Sequence, residues 1–164
     1  MSLQLPAHDY LDALTIPYQR LTFPQSTEKG AASVAKVLGF RERQMVKTLI
    51  FETDNKVQAL IMVGGDQNVI SGHLKKALAS RNVVMASREN VLALTGYAVG
   101  SIPPFHWQPE TFQSYLDRSL LDEECLGVGA GVWGHEIVIK PSDLVKASRC
   151  RVINLTDRDK EVFS

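Results

Sequence analysis

Residues 45–53, Met-Val-Lys-Thr-Leu-Ile-Phe-Glu-Thr, and residues 57–63, Val-Gln-Ala-Leu-Ile-Met-Val, decide how this chain folds. Both runs are rich in β-branched and large apolar side chains, which fit a pleated, half-buried surface. Asp54, Asn55 and Lys56 separate them, so the pair reads as a β-hairpin in the centre of the domain. Strand alternation puts Met45, Lys47, Leu49 and Phe51 on one face and Val46, Thr48 and Ile50 on the other. Lys47 therefore shares a face with large apolar neighbours. Because burying an ammonium without a partner is costly, its head must extend to water, meet an anion or lose its proton. Periodicity alone leaves a snorkelling surface lysine and a functional one both open.

Working outward from the hairpin, Pro6–Leu14 carries apolar residues at a three-four spacing and predicts a short helix. A strand follows over Tyr18–Phe23, closed by Pro24. Ser26 or Thr27 is the expected cap of a second helix that runs through Leu38 and stops at Gly39, with Ala31, Val34, Ala35 and Leu38 on its apolar face. Beyond the hairpin, Gly72–Ser80 predicts a helix, Val83–Ala86 a strand, and Ser87–Leu94 a helix capped by its serine. Strands are expected near Phe112–Leu116, Glu124–Val128 and Glu136–Ile139, then a helix over Pro141–Ala147 and a strand over Val152–Leu155. Such irregular interleaving with hairpins favours an α/β domain of the α+β type. Its expected form is a mixed, barrel-like sheet flanked by helices, not a doubly wound parallel sheet.

The totals agree with one globular domain spanning residues 1–164: 45% of the residues are apolar and 22% charged. Eighteen basic residues balance eighteen acidic ones, so no long-range field draws the protein onto nucleic acid and any RNA contact must be local. Basic residues gather at Arg41, Arg43 and Lys47, at His73, Lys75, Lys76, Arg81 and Arg88, and at Lys146, Arg149 and Arg151; a solvated face is the commoner meaning of such groups. Cys125 and Cys150 have no CxxC spacing and read as reduced thiols. Met1–His8 lacks the charged and apolar regions of a secretion signal, and no run approaches the roughly 20 apolar residues of a membrane span, so the cytoplasm is the expected compartment.

Two further stretches could carry chemistry. In Thr95–His106 (TGYAVGSIPPFH), Gly96 and Gly100 let backbone approach a ligand, while Pro103 and Pro104 stiffen the loop. Its free amides could bind a carbonyl oxygen as negative charge develops there; a plain rigid connection is the alternative. In Gly127–Gly134 (GVGAGVWG) the glycines either cradle a ligand or form a tight hairpin, since neither a phosphate loop nor a dinucleotide fingerprint is present. His8, His73, His106 and His135 have no HxxxH or HExxH spacing, so no metal site and no cofactor is expected. No GxSxG elbow marks a serine hydrolase.

Three segments, in order, resemble the YbaK-like aminoacyl-tRNA editing family, also known as the prolyl-tRNA synthetase-associated domain. They are Lys47-Thr48-Leu49 with its apolar strand, Thr95–Pro104, and Gly129-Ala130-Gly131 leading into Glu136–Ile139 and Pro141-Ser142-Asp143-Leu144. The resemblance covers roughly residues 5–150. It implies a pocket for the aminoacylated 3′ end of tRNA, with Lys47 matching the family's characteristic functional lysine. Gly100 and Pro104 match the first glycine and the proline of the family's GxxxPxG loop, whereas His106 stands where that pattern ends in glycine. On this basis Lys47, Gly100 and Ser101 are the expected catalytic groups. The expected substrate-binding set is Thr48, then Gly96, Tyr97, Ile102, Pro103, Pro104 and His106 of the loop, and Gly129, Gly131 and His135.

The implied activity is hydrolysis, in trans, of the ester of mischarged tRNA. Cysteine, alanine or serine on proline tRNA are the expected substrates, with tRNA and an aminoacyl-tRNA synthetase as partners and no DNA or membrane involved. An aminoacyl ester is already activated, so positioning and charge stabilisation could suffice without metal or protein nucleophile. Some members of the family use the thiol of a cysteinyl substrate in place of water. A non-catalytic module that binds aminoacyl-tRNA or a protein, and a hydrolase of small esters, are the rival readings.

Overall fold

The computed structural model describes residues 3–157. Met1, Ser2 and residues 158–164, which the sequence reading included in its single domain, lie outside the described residues. The elements are α1 (Pro6–Ala13), β1 (Gln19–Thr22), α2 (Ala31–Leu38), a 3-10 turn (Glu42–Gln44), β2 (Lys47–Thr53), β3 (Gln58–Val63), α3 (Ser71–Ala77), β4 (Val83–Met85) and α4 (Arg88–Thr95). They continue with β5 (Gln113–Asp117), a 3-10 turn (Arg118–Asp122), β6 (Leu126–Gly129), β7 (His135–Ile139), α5 (Pro141–Ser148) and β8 (Arg151–Ile153).

The class is mixed α/β, as expected. The hairpin forms the middle of a five-stranded sheet ordered β4-β2-β3-β5-β8, antiparallel from β4 to β3 and parallel from β3 to β8. A second, three-stranded antiparallel sheet is ordered β1-β7-β6. Among the described residues these ladders do not close into a barrel. They meet through one bridge between Met45 and Gly127, where the Val46 N–H donates to the Gly127 carbonyl at 2.9 Å.

The main core fills the space between the sheets. Ile50, Leu60, Met62 and Leu116 come from the larger sheet and Leu126, Val128, Ile137 and Ile139 from the smaller; α1 and α5 add Leu11 and Leu144. Leu49 and Phe51 face the other way, onto a cluster with Ile61, Val63 and Leu74 that α3 covers. Met45 does not stay with them, because β2 begins only at Lys47; it is buried in a third cluster with Phe23, Val34 and Ala35 of the α2 region.

Local rules explain most element ends. The Ser87 hydroxyl accepts from the Asn90 N–H at 3.1 Å and starts α4, and Gly39 and Gly96 end α2 and α4 in the left-handed conformation. The expected start of α2 requires correction: neither Ser26 nor Thr27 caps it. The chain turns at Pro24–Thr27, and Gly30 has φ 117°, a conformation no helix can run through, so α2 begins at Ala31.

The glycines of 127–134 resolve as a hairpin, β6 to β7, rather than as a phosphate-type cradle. Their smallness has a packing cause. A Cβ at Gly129 would sit 2.9 Å from the Ser101 carbonyl carbon, and one at Gly131, where φ is 109°, would sit 2.7 Å from the Tyr97 ring. The loop 96–104 is thus pressed onto β6 at positions where only glycine fits. Gly129→Ala is expected to destabilise the fold by about 1–3 kcal/mol through overpacking, read as a lower urea midpoint. Gly72→Ala on α3, where a Cβ meets nothing within 4 Å, is the control and should be neutral or slightly stabilising.

Candidate functional site

An unpaired stretch of strand edge opens between the two sheets. On β2 the even-numbered residues direct their peptide groups away from β3: the Val46 N–H goes to Gly127, and the Ile50 carbonyl accepts from the Ala86 N–H at 2.9 Å. Thr48 lies between these two bonds. Because peptide groups alternate along a strand, its N–H and C=O point into the gap, past the end of β4. Its side chain is unsatisfied as well: among the described residues, the Thr48 hydroxyl is the buried side-chain oxygen or nitrogen that has no hydrogen-bond partner. An orphaned buried hydroxyl costs about 1–3 kcal/mol, a destabilisation the fold carries at this edge.

The gap is the floor of a cleft of about 280 Å³, near the lower bound of small-ligand sites. Lys47 and Thr48 line it from β2, Gly100 and Ile102 from the stiff loop, Gly129 and Trp133 from the β6–β7 hairpin, and Glu136 from β7. No acidic side chain lies within ion-pair distance of Lys47 among the described residues. Its neighbours in the basic cluster read from sequence are committed elsewhere: Arg41 pairs with Glu123, and Arg43 with Asp66 at 3.3 Å. Lys29 and Arg88 bring two further basic side chains to the rim, the former held 3.7 Å over the Trp133 ring. Trp133 in turn packs edge-on against Phe23 and donates its indole N–H to the Gln25 carbonyl at 3.2 Å, tying the 23–29 segment to the cleft.

The expected site residues therefore divide. Lys47, Thr48, Gly100, Ile102 and Gly129 come together around the cleft. Ser101 is buried and its N–H already donates to the Ala98 carbonyl at 3.1 Å, so that amide is not available to an oxyanion. Gly96, Tyr97, Pro103, Pro104 and Gly131 shape the loop and its seat on β6 without lining the cleft. The Pro103 carbonyl accepts from the Trp107 indole at 2.6 Å and the Pro104 carbonyl from the Gln108 amide at 2.8 Å, which fixes the loop's outer end. His106 borders a separate hollow beside Tyr10, with its Nε2 2.6 Å from the Tyr97 hydroxyl, and burial pushes its pKa down. Its φ is 80°, the left-handed conformation a glycine adopts freely, so the departure in residue type is not one in backbone path. His135 lines another recess, with His8 and Arg20.

Sequence reasoning missed Glu136 as a site residue. It is 9% exposed, and burial lifts its pKa from 4.5 to about 8, so the carboxyl is largely protonated near neutrality. The available signal was a lone acid in an otherwise apolar strand, HEIVI. Among the described residues no group of three or more His, Cys, Asp or Glu side chains is gathered as metal donors, and no helix is long and apolar enough to cross a membrane. Cys125 and Cys150 are free.

A mixed α/β domain with a lysine and an open strand edge in one cleft defines a class that comparison with known proteins specifies. Residues 26–147 match the model of the aminoacyl-tRNA editing domain, and the chain belongs to that family. It is 25% identical over 145 residues to EbsC of Enterococcus faecalis, a candidate Cys-tRNA(Pro)/Cys-tRNA(Cys) deacylase, covering 88% of each chain. It is 34% identical over 105 residues to the proline–tRNA ligase of Streptococcus sanguinis, matching 63% of this chain and 17% of that enzyme. Among solved structures it superposes with a TM-score of 0.80 and 24% identity on a candidate trans-editing enzyme for prolyl-tRNA synthetase, covering 95% of this chain and 99% of the other.

The raised pKa of Glu136 makes a stability prediction. The folded state keeps a proton between pH 4.5 and about 8 that the unfolded chain has lost, so this contribution is complete below 4.5 and declines as pH rises towards 8. Urea denaturation of the wild type and Glu136→Gln should show the wild type losing stability, relative to the variant, by roughly 1 kcal/mol per pH unit between about pH 5.5 and 7.5. Parallel pH profiles would contradict it.

Proposed function

We propose that this protein is a single-domain, trans-acting aminoacyl-tRNA deacylase of the cytoplasm that hydrolyses the ester of mischarged tRNA without a metal. Cysteine, alanine or serine on proline tRNA are the substrates its resemblances favour. The observation that carries the reading is Lys47, free of any ion-pair partner among the described residues, beside the open edge at Thr48 and the loop at Gly100 in one cleft.

In this reading the ester carbonyl lies over the β2 edge. Water adds to the carbonyl carbon, and the oxygen that gains negative charge is held by Lys47 and by the Thr48 N–H, with Gly100 closing the opposite side. The bond to the ribose oxygen then breaks, and that oxygen takes the proton the water gives up. Donors fixed in a shielded cleft need no reorganisation as charge develops, which is the condition under which they accelerate a reaction most. The Thr48 amide takes the role that the sequence reading gave to Ser101. Lys29 and Arg88 at the rim favour the phosphates of an acceptor end, and a net charge of zero makes delivery by a synthetase partner part of the proposal.

The test is a panel of tRNAs charged with cysteine, alanine, serine, threonine and proline, followed for release of the amino acid. Release from at least one non-proline ester is expected, with Lys47→Ala lowering its kcat/KM by about 100-fold or more while circular dichroism stays unchanged. No release from any of the five, or full activity of Lys47→Ala, would overturn the reading.

A further inference from the structure

The cleft combines charges in an unusual way. Of the described residues in its wall, Lys29, Lys47 and Arg88 are basic and Glu136 alone is acidic. Glu136 sits on β7 between Leu21 of β1 and Gly129 of β6, with neither a hydrogen bond nor an ion pair among the described residues. Its carboxyl has a made space: a Cβ at Gly127 would lie 3.3 Å from Oε2. A carboxyl in a residue only 9% exposed, with slight solvent contact and no ion-pair partner among the described residues, is costly to ionise, and a cation brought by a ligand is the partner it lacks.

The substrate class proposed above has one such cation. An aminoacyl-tRNA end is a chain of anionic phosphates that carries a single ammonium, bonded to the carbon next to the ester carbonyl. Basic groups at the rim and one acid in the wall match that order of signs. We propose that Glu136 anchors the α-ammonium of the aminoacyl group and so makes the site selective for esters of amino acids over esters of hydroxy acids. The inference rests on the editing reading and names what that site recognises.

Capture is coupled to a proton. In the empty cleft burial keeps the carboxyl neutral near pH 7; when an ammonium docks, the carboxyl ionises, the ion pair forms and the proton leaves to solvent. The charged and titratable groups around Glu136 are Lys29, Lys47 and Arg88 on the cleft side and His8, Arg20 and His135 on the recess side. Glu136 is a positioning residue here: it fixes the acyl group so that the carbonyl meets Lys47 and the Thr48 edge.

Two non-hydrolysable ligands test this, alanyl-adenosine and lactyl-adenosine analogues in which an amide at the 3′ position replaces the ester; they differ in ammonium against hydroxyl. Calorimetry in buffers of different ionisation enthalpy reads affinity and proton count together. The wild type should bind the alanyl analogue at least about tenfold more tightly and release a proton near pH 7, whereas Glu136→Gln should bind both alike and release none. The proposal is overturned if Glu136→Gln keeps the preference, if it weakens both ligands equally, or if the wild type binds both alike or neither. Deacylation of the tRNA panel combined with no ammonium preference would sink the anchor and spare the editing reading; selective binding without deacylation would do the reverse.

Discussion

A strand edge inside a fold leaves peptide groups that need partners, and the architecture around the cleft follows from how β2 meets that need. The Met45–Gly127 bridge closes its first part and β4 its last, leaving Thr48 between them. Extending β4 by a few residues would satisfy the edge and abolish the cleft. Instead the chain leaves β4 at Met85, caps α4 with Ser87, and returns through the 96–104 loop to the far side of the gap. A gap of this kind suits a flat, polar, carbonyl-bearing ligand, which can use the hydrogen bonds a neighbouring strand would have made.

The loop's position depends on features far from it in sequence. Gly129 and Gly131 lack the side chains that would lift it off the β6–β7 hairpin; the Tyr97 hydroxyl is held by His106, and the Tyr97 ring occupies the space a Cβ at Gly131 would need. The Trp107 and Gln108 side chains then hold the carbonyls of Pro103 and Pro104. Residues that do not touch the cleft thereby set the distance between Gly100 and β2. The stiffness read from the two prolines is a property of this whole assembly.

Much of this was legible in the residues. Alternation in 45–63 and the serine before α4 gave the elements that matter most, because period-two patterning and caps are local rules. The start of α2 was misread because an acceptable cap at Ser26 or Thr27 carries no sign of the φ that Gly30 adopts. Lys47 could be singled out because a basic residue in an apolar strand is locally anomalous. Glu136 is the same anomaly with the opposite sign, yet its meaning depends on Gly127 and Gly129 lying across the sheet, a juxtaposition no single segment encodes. The occupied amide of Ser101 was equally invisible, being a matter of turn geometry.

The central claim is that the acyl group binds along the open edge of β2. Amide-resolved NMR of the protein titrated with a non-hydrolysable aminoacyl-adenosine measures it most directly. The Thr48 amide signal should shift strongly and its hydrogen exchange should slow, together with changes at Gly100 and Lys47. Perturbations confined to other surfaces, such as Lys75–Arg81, with Thr48 exchanging as fast as in the free protein, would contradict it.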